Sequence, residues 1–274
     1  MRIIYMGTPE FAAIALAAIV KEHEVVAVVT QPDKPQGRNR KLVPTPVKVK
    51  AQEYAIPVYQ PEKVREAEMV ETLRSYKPDA IVVAAYGQIL PESILSIPPY
   101  GCINIHASLL PKYRGAAPIE RAIIDGETVT GVTTMYMEKG LDTGDMIDKV
   151  EVVITPEDTG ATLHDKLAVA GASLILETLM KLENHTATRT KQDDTQSCYA
   201  SMLSKEMGQM DFSKPAEKLE RLIRGLNPWP CAYTQIDGKN VKIYKAKVIT
   251  MDAAYQAQAQ AKVEQTLAFA PGEI

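Results

Sequence analysis

The alternation of short β-branched runs with amphipathic helical segments is the feature that most constrains how this chain folds. The first run, residues 2–6, is followed after one turn by a helical pattern over 10–20. Thr8 can cap that helix and Pro9 suits its first turn. Further strand patterns occur at 24–30, 79–84, 101–107, 129–136 and 146–154, and helical patterns at 46–55, 62–76, 116–125 and 159–182. The early strands are apolar on both faces, as in sheets covered by helices. Repeated βαβ units therefore predict an α/β fold with a Rossmann-like, mostly parallel sheet and flanking helices.

The character of the chain changes near residue 184. Residues 185–205 are rich in polar side chains and show little periodicity, which predicts a linker. Beyond it, an amphipathic segment over 216–226 predicts a helix, and alternating runs on both sides of Asp237-Gly238 predict a hairpin. We therefore expect a large domain over 1–184 and a small β domain over 206–274.

Composition and missing motifs exclude several classes of protein. The chain has 274 residues, of which 46% are hydrophobic and 24% charged, a mixture typical of globular domains. It has no apolar run long enough to span a bilayer and no signal-peptide pattern, so we expect a cytoplasmic protein. Its three cysteines form no CxxC pair, which argues against a zinc site or a disulfide framework. The first strand–helix turn has one glycine where a dinucleotide fingerprint needs three, and P-loop and GxSxG motifs are absent.

Positive charge is concentrated in two stretches, although the net charge is −3. Residues 34–50 contain six basic side chains and no acidic one, and residues 214–247 contain eight basic side chains against three acidic ones. Such stretches can present a positive face to a polyanion, and an ordinary solvated surface is the alternative.

Candidate chemistry is concentrated at Asn104 and His106. Because the two residues are two apart in a predicted strand, their side chains point to the same face, near the end of the strand where α/β sheets bind ligands. An amide and an imidazole can both donate hydrogen bonds to a carbonyl oxygen that becomes an oxyanion. Asp142, in a glycine-flanked loop, could orient the histidine. From spacing alone, a structural histidine and turn-forming Asn104 and Asp142 remain open alternatives.

Longer motifs connect these residues to a known family. The run NIHASLLPKYRGAAPI at 104–119, with GLDTGD at 140–145, resembles the 10-formyltetrahydrofolate-dependent formyltransferases. Within that family, the members that formylate methionyl-tRNA are the most similar. The motifs that carry this closer resemblance are MGTPEFA at 6–12, TQPDKPQGR at 30–38, VAAYGQILP at 83–91 and LNPWP at 226–230. The resemblance runs from the first strand to about residue 250 and again over 270–274.

This resemblance implies transfer of a formyl group from 10-formyltetrahydrofolate to the amino group of initiator methionyl-tRNA, in support of translation initiation. It implies that Asn104 and His106 stabilise a tetrahedral oxyanion, and that Asp142 raises the basicity of His106 and helps to manage the amine proton. It implies no covalent intermediate and no metal. The folate-binding residues that it implies are Gln88, Ile89, Leu90, Ser108, Leu109, Leu110, Pro111 and Gly140.

The same resemblance implies contacts with tRNA, and we expect a monomeric protein. The implied tRNA-binding residues are Arg38, Arg40, Lys41, Lys214, Arg221, Arg224, Lys242 and Lys245, with Arg38 the best candidate for specificity. The C-terminal region would be an OB-like barrel, and because family members continue past Ile274, we expect that barrel to be incomplete.

The sequence leaves three alternative functions open. Glycinamide ribonucleotide formyltransferases share the Asn, His and Asp set but usually carry proline after the histidine, where this chain has Ala107. Formyltetrahydrofolate hydrolases use water as the acceptor. A tRNA-binding protein without catalysis would bind tRNA in a salt-sensitive manner and leave folate unchanged.

Overall fold

A computed structural model describes residues 1–36 and 41–249 of the chain. Its strands are β1 Arg2–Gly7, β2 Glu24–Val29, β3 Lys34–Gln36, β4 Lys41–Val43, β5 Val58–Tyr59, β6 Ala80–Ala84, β7 Cys102–His106, β8 Arg114–Gly115, β9 Val129–Tyr136, β10 Met146–Val153, β11 Tyr199–Ala200, β12 Ala232–Ile236 and β13 Lys239–Ile243. Its helices are α1 Glu10–Glu22, α2 Pro46–Glu53, α3 Ala67–Ser75, α4 Glu92–Leu95, α5 Pro118–Asp125, α6 Gly160–Glu183 and α7 Ala216–Gly225. Among these helices, none has the length and apolar character needed to cross a membrane.

The central sheet has seven strands in the order β10-β9-β7-β6-β1-β2-β5. The five strands from β7 to β5 run parallel, whereas β9 is antiparallel to β7 and β10 is antiparallel to β9. The predicted α/β fold with a mostly parallel sheet is thus confirmed. At the point of reversal, Asn104 pairs with Met135 and His106 with Thr133. The β9–β10 loop, which carries Asp142, therefore leaves the sheet beside β7.

Both faces of the sheet are covered by apolar side chains. Along β1, Ile3 and Tyr5 belong to one buried cluster, whereas Ile4 and Met6 belong to another. The first cluster packs against α1 and α6, and the second includes Leu73 of α3. Because strand side chains alternate between faces, burial of every residue from Ile3 to Met6 is expected only in a sheet between two layers of helices.

Several short elements were not predicted from the sequence. These are the β3–β4 hairpin, β5, α4 and the β8–β11 pair, and α3 begins at Ala67 rather than near residue 62. Strands of two or three residues are too short to show a periodic pattern. Part of the predicted linker is also ordered against the large domain, since Tyr199 pairs with Arg114 and Ala200 with Gly115. The hairpin at Asp237-Gly238 is present, with both residues at positive φ.

The start of α6 is held by the buried carboxylate of Asp158. That group accepts hydrogen bonds from the Thr155 backbone N–H at 2.7 Å, the Thr162 hydroxyl at 2.9 Å and Lys166 Nζ at 2.7 Å. The Asp158 carbonyl also accepts from Arg224 of α7 at 2.8 Å. Burial alone would raise the pKa of Asp158, but these hydrogen bonds outweigh it and lower the pKa from 3.8 to about 2.

Asp158→Asn is expected to destabilise the fold in a pH-dependent way. Because the pKa of Asp158 is lower in the folded protein than in the unfolded chain, its carboxylate stabilises the folded state above about pH 4. This stabilisation is lost as the pH falls toward 2. Because one pKa unit is worth about 1.4 kcal/mol, the variant should lose about 2 kcal/mol at pH 7. Denaturant unfolding from pH 7 to pH 3 should show the two curves converging at acid pH. Asp165→Asn, at an exposed position in α6, is the control and should match the parent in stability. A constant gap at all pH values would contradict the prediction.

Candidate active site

Strand β7 presents Asn104 and His106 on one side of the sheet at its C-terminal end. The two residues are 8% and 6% exposed, so both polar groups lie in a largely desolvated environment. Their spacing of two residues places them side by side, as predicted from the sequence. After His106 the chain turns tightly, and Ser108 holds this turn by donating its hydroxyl to the Lys112 carbonyl at 2.7 Å.

The orientation of the His106 ring follows from its partner at Nε2. That nitrogen lies 2.8 Å from the backbone carbonyl of Tyr113, a residue at positive φ. A carbonyl oxygen only accepts hydrogen bonds, so Nε2 carries a proton. The other ring nitrogen, Nδ1, faces Asp142 Oδ2 at 3.8 Å. This separation is too long for a direct hydrogen bond and leaves Nδ1 available to a substrate atom or to water.

Asp142 is fixed by contacts with both neighbouring segments. Its Oδ2 accepts the backbone N–H of Gly115 at 2.9 Å, and its Oδ1 accepts from Asn104 Nδ2 at 3.3 Å. Its backbone has a φ of 52°, in the left-handed region that few non-glycine residues adopt. The structure therefore brings together the three side chains selected from the sequence: Asn104, His106 and Asp142.

This arrangement suits group transfer through a tetrahedral intermediate. The Asn104 amide has two N–H groups, and only one is directed to Asp142, so the other can bind an oxyanion. Nδ1 of His106, when protonated, is a second donor, and the Asp142 carboxylate can hold the resulting cation. Within residues 1–36 and 41–249, no cluster of three or more His, Cys, Asp or Glu side chains could hold a metal ion.

The residues implied in folate binding divide into accessible and buried side chains. Ile89 is 86% exposed, Gly140 is exposed, and Leu109 and Pro111 are partly exposed. By contrast, the side chains of Leu90, Ser108 and Leu110 are buried. Gln88 accepts from the Val64 backbone N–H at 2.8 Å and donates to the Pro61 carbonyl at 3.2 Å. Leu90, Ser108, Leu110 and Gln88 therefore stabilise the loops. A ligand can contact the exposed and partly exposed residues more directly.

The residues implied in tRNA binding also differ in their environments. Arg38 and Arg40 lie outside the described residues, whereas Lys41, Lys214, Lys242 and Lys245 are exposed. Arg221 donates to the Ile124 carbonyl at 3.3 Å, and Arg224 contacts Glu220 at 2.5 Å and the Asp158 carbonyl. Both arginines are partly buried, and their guanidinium groups join α7 to α5 and to Asp158 just before α6. Their role in tRNA binding stays a prediction.

Besides the Gly115 N–H, two contributors to the site were not predicted from the sequence. Tyr113 acts through its backbone carbonyl, which no side-chain pattern reveals. Gln192 lies in the segment predicted as a linker, yet it is 6% exposed and donates to the carbonyls of Asp142 and Gly144. A glutamine in a polar stretch without periodicity gives no signal of burial.

The sequence is similar to known proteins over most of its length. A family model described as Formyl transferase matches residues 1–179, and one described as Formyl transferase, C-terminal domain, matches residues 202–274. The methionyl-tRNA formyltransferase of Geobacter metallireducens is 55% identical over 251 residues, which cover 91% of this chain and 81% of that protein. The enzyme of the same name from Agathobacter rectalis is 54% identical over 257 residues, 93% of this chain and 83% of that protein.

A solved structure shares the fold at lower identity. WlaRD, a sugar 3N-formyl transferase crystallised in the presence of dTDP and 5-N-formyl-THF, superposes with a TM-score of 0.69 at 21% identity. The superposition covers 92% of this chain and 87% of that one. At this identity, the likeness concerns the fold alone.

Proposed function

Because this chain belongs to the formyl transferase family, we propose that it transfers the formyl group of 10-formyltetrahydrofolate to the free amino group of initiator methionyl-tRNA. The observation that carries this conclusion is the 55% identity over 91% of the chain to a methionyl-tRNA formyltransferase. The chain is accordingly a formyl-transferring enzyme that serves translation initiation. The donor, 10-formyltetrahydrofolate, supplies a formyl carbon that the amine attacks directly.

In the proposed mechanism, Asn104 and His106 stabilise the charge that develops on the formyl oxygen. Attack by the amine forms a carbon–nitrogen bond and turns the carbonyl oxygen into an oxyanion. The second N–H of Asn104 and a protonated Nδ1 of His106 are the two donors that we assign to this oxygen. Since both groups are buried and already oriented, little reorganisation opposes their action, and each such donor is typically worth about 3 kcal/mol.

In the same proposal, Asp142 accepts the proton that the attacking amine loses. The attacking amine becomes cationic in the tetrahedral intermediate and must lose a proton before the intermediate can collapse. The carboxylate, fixed by Gly115 and Asn104, can take that proton directly or through a bridging water. Breakage of the bond between the formyl carbon and the folate nitrogen then completes the transfer, and Asp142 returns the proton to that departing nitrogen.

We propose that folate lies against the accessible residues of three loops. These are Ile89 after β6, Leu109 and Pro111 after β7, and Gly140 in the β9–β10 loop. Ile89 is the most distinctive of them, because its large apolar side chain is 86% exposed. A flat aromatic ligand that covers it would remove apolar surface from water, which favours binding.

Ile89→Ala is therefore expected to raise the KM for 10-formyltetrahydrofolate by about tenfold, which corresponds to about 1.4 kcal/mol of lost apolar contact. The value of kcat should change little, because Ile89 does not touch Asn104, His106 or Asp142 in this proposal. Steady-state kinetics with varied folate measure both constants. Val153→Ala, which truncates another exposed side chain on β10, is the control and should leave both constants unchanged. An unchanged KM in Ile89→Ala would remove this residue from the folate site.

We further propose that exposed basic side chains bind the tRNA backbone. Lys41, Lys214, Lys242 and Lys245 are accessible, and Arg38 and Arg40 join them on sequence grounds alone. In the same proposal, residues 1–184 are the catalytic domain, 185–205 connect it to the rest, and 206–274 add tRNA affinity. A monomeric state and a cytoplasmic location complete the proposal.

The test compares folate turnover with initiator methionyl-tRNA, with glycinamide ribonucleotide and with no acceptor. We expect turnover only with methionyl-tRNA, together with formation of formylmethionyl-tRNA. Equal turnover without an acceptor would identify a hydrolase, and turnover with the ribonucleotide would identify a different formyltransferase. Salt-sensitive tRNA binding without turnover would identify a binding protein.

A further inference from the structure

Gln192 is the one buried residue in an otherwise exposed polar stretch over 189–196. It is 6% exposed, whereas its neighbours on both sides are exposed. A glutamine amide has two N–H groups and an oxygen with two lone pairs, so it can form four hydrogen bonds. Here all four are formed within the protein, which makes this side chain a fully satisfied polar connection in a buried position.

The four hydrogen bonds join three segments of the candidate active site. Nε2 donates to the backbone carbonyls of Asp142 and Gly144, each at 2.8 Å. Oε1 accepts from Arg114 Nε at 3.0 Å and from a terminal guanidinium nitrogen of Arg114 at 2.8 Å. One end of the amide thus holds the loop that carries Asp142, and the other end holds the segment after β7.

Both ends of this connection lead to the Asp142 carboxylate. The carbonyl that Nε2 binds belongs to Asp142 itself, whose φ of 52° sets the direction of its side chain. Arg114 precedes Gly115, and the Gly115 N–H donates to Asp142 Oδ2 at 2.9 Å. The backbone and the carboxylate of Asp142 are therefore both held by groups that Gln192 contacts directly or through one residue.

We propose that Gln192 is a positioning residue that holds Asp142 in its left-handed conformation and so aims its carboxylate at Asn104 and His106. The inference rests on the proposed function, because it assigns the residue to that reaction. Its effect is exerted entirely through Asp142. Displacement of a reacting group by about 1 Å can lower the rate on the order of 10²-fold.

Two substitutions separate the hydrogen bonds from the packing. Gln192→Glu keeps the size and the contact with Arg114 but removes both N–H donors, and it turns a carboxylate oxygen toward two carbonyls. Gln192→Ala removes the whole connection. We expect kcat for formyl transfer to methionyl-tRNA to fall by roughly 10²-fold in both variants, with the KM for methionyl-tRNA within about threefold of the parent. The pH profile of kcat should also change, because the distance from Asp142 to His106 changes.

The matched control is Gln196→Ala, four residues further along the same segment. Its amide is exposed and donates to Asp193 at 2.8 Å, away from the site. We expect this variant to match the parent in kcat, KM and pH profile. Thermal unfolding of all variants shows which of them are folded at the assay temperature, and the kinetics of Gln192→Glu decide the question if Gln192→Ala unfolds.

A double-mutant cycle tests whether Gln192 acts through Asp142. In an Asp142→Asn background, Gln192→Glu should reduce kcat by less than about threefold, because the group that it positions has already lost its charge. Additive effects of the two substitutions would overturn the proposal, as would a Gln192→Glu variant with kcat within threefold of the parent. Failure of the intact chain to formylate methionyl-tRNA would instead reject the proposed function, so the two failures are distinguishable.

Discussion

Replacement of His106 with alanine is expected to reduce kcat for formyl transfer by about 10³-fold, equivalent to about 4 kcal/mol of transition-state stabilisation. The ring is 6% exposed, and its Nε2 is bound to the Tyr113 carbonyl, so Nδ1 is the nitrogen that can reach the substrate. Loss of that donor removes a hydrogen bond to the oxyanion, which forms only when the amine attacks the formyl carbon. The KM for both substrates should therefore change much less than kcat. Initial rates under varied folate and varied methionyl-tRNA give these constants.

His185→Asn provides the control for His106→Ala. His185 is exposed and lies at positive φ, a conformation that asparagine adopts readily, so the substitution should leave the rate and the folding unchanged. Circular dichroism and thermal unfolding of His106→Ala establish that the variant is folded. A folded His106→Ala variant that keeps more than a tenth of the parental kcat would show that the imidazole is not part of the reaction.

Asp142→Asn is expected to lower kcat by about 10²-fold or more, because the substitution removes the charge without removing the shape. Asparagine tolerates the left-handed backbone of residue 142, and its side-chain oxygen can still accept from Gly115. It cannot hold a cationic imidazole or take a proton from the attacking amine. The loss should therefore appear in kcat, measured at saturating concentrations of both substrates.

Asp145→Asn, three residues further along the same loop, is the control for charge in this region. Its carboxylate lies 3.9 Å from Arg189 and is separate from the Asn104 and His106 pair. We expect a change in kcat of less than about threefold, because the ion pair with Arg189 is long and partly exposed to solvent. Equal losses in the two variants would mean that the loop needs negative charge in general and that Asp142 has no specific role.

Six of the seven strands of the sheet could be predicted because they are five to eight residues long and rich in apolar side chains, whereas β5 has only two residues. From Ile3 to Met6 every residue is buried, and the pattern over 80–84 is equally continuous. The antiparallel turn of β9 could not be predicted, because direction depends on which edge a strand joins rather than on its own composition. The β8–β11 pair was missed for a related reason: two-residue strands have no periodicity, and their partners lie more than 80 residues apart.

The site could be predicted only where side chains carry the chemistry. Asn104 and His106 share a face by strand geometry, and Asp142 lies in a loop that the topology brings beside them. The Tyr113 carbonyl and the Gly115 N–H are backbone groups, and neither leaves a mark on the sequence pattern. For Arg221 and Arg224, charge alone could not reveal that both guanidinium groups also donate to main-chain carbonyls within the protein.

The most direct test of the central claim is a single-turnover measurement of formyl transfer. Enzyme in excess, saturated with 10-formyltetrahydrofolate, is mixed with initiator methionyl-tRNA, and formylmethionyl-tRNA is quantified over time for the parent and for Asn104→Ala, His106→Ala and Asp142→Asn. We predict complete transfer by the parent and a rate constant lower by at least about 10²-fold in each variant, with tRNA and folate still bound. A variant that transfers the formyl group at the parental rate would contradict the assignment of the reaction to these three side chains.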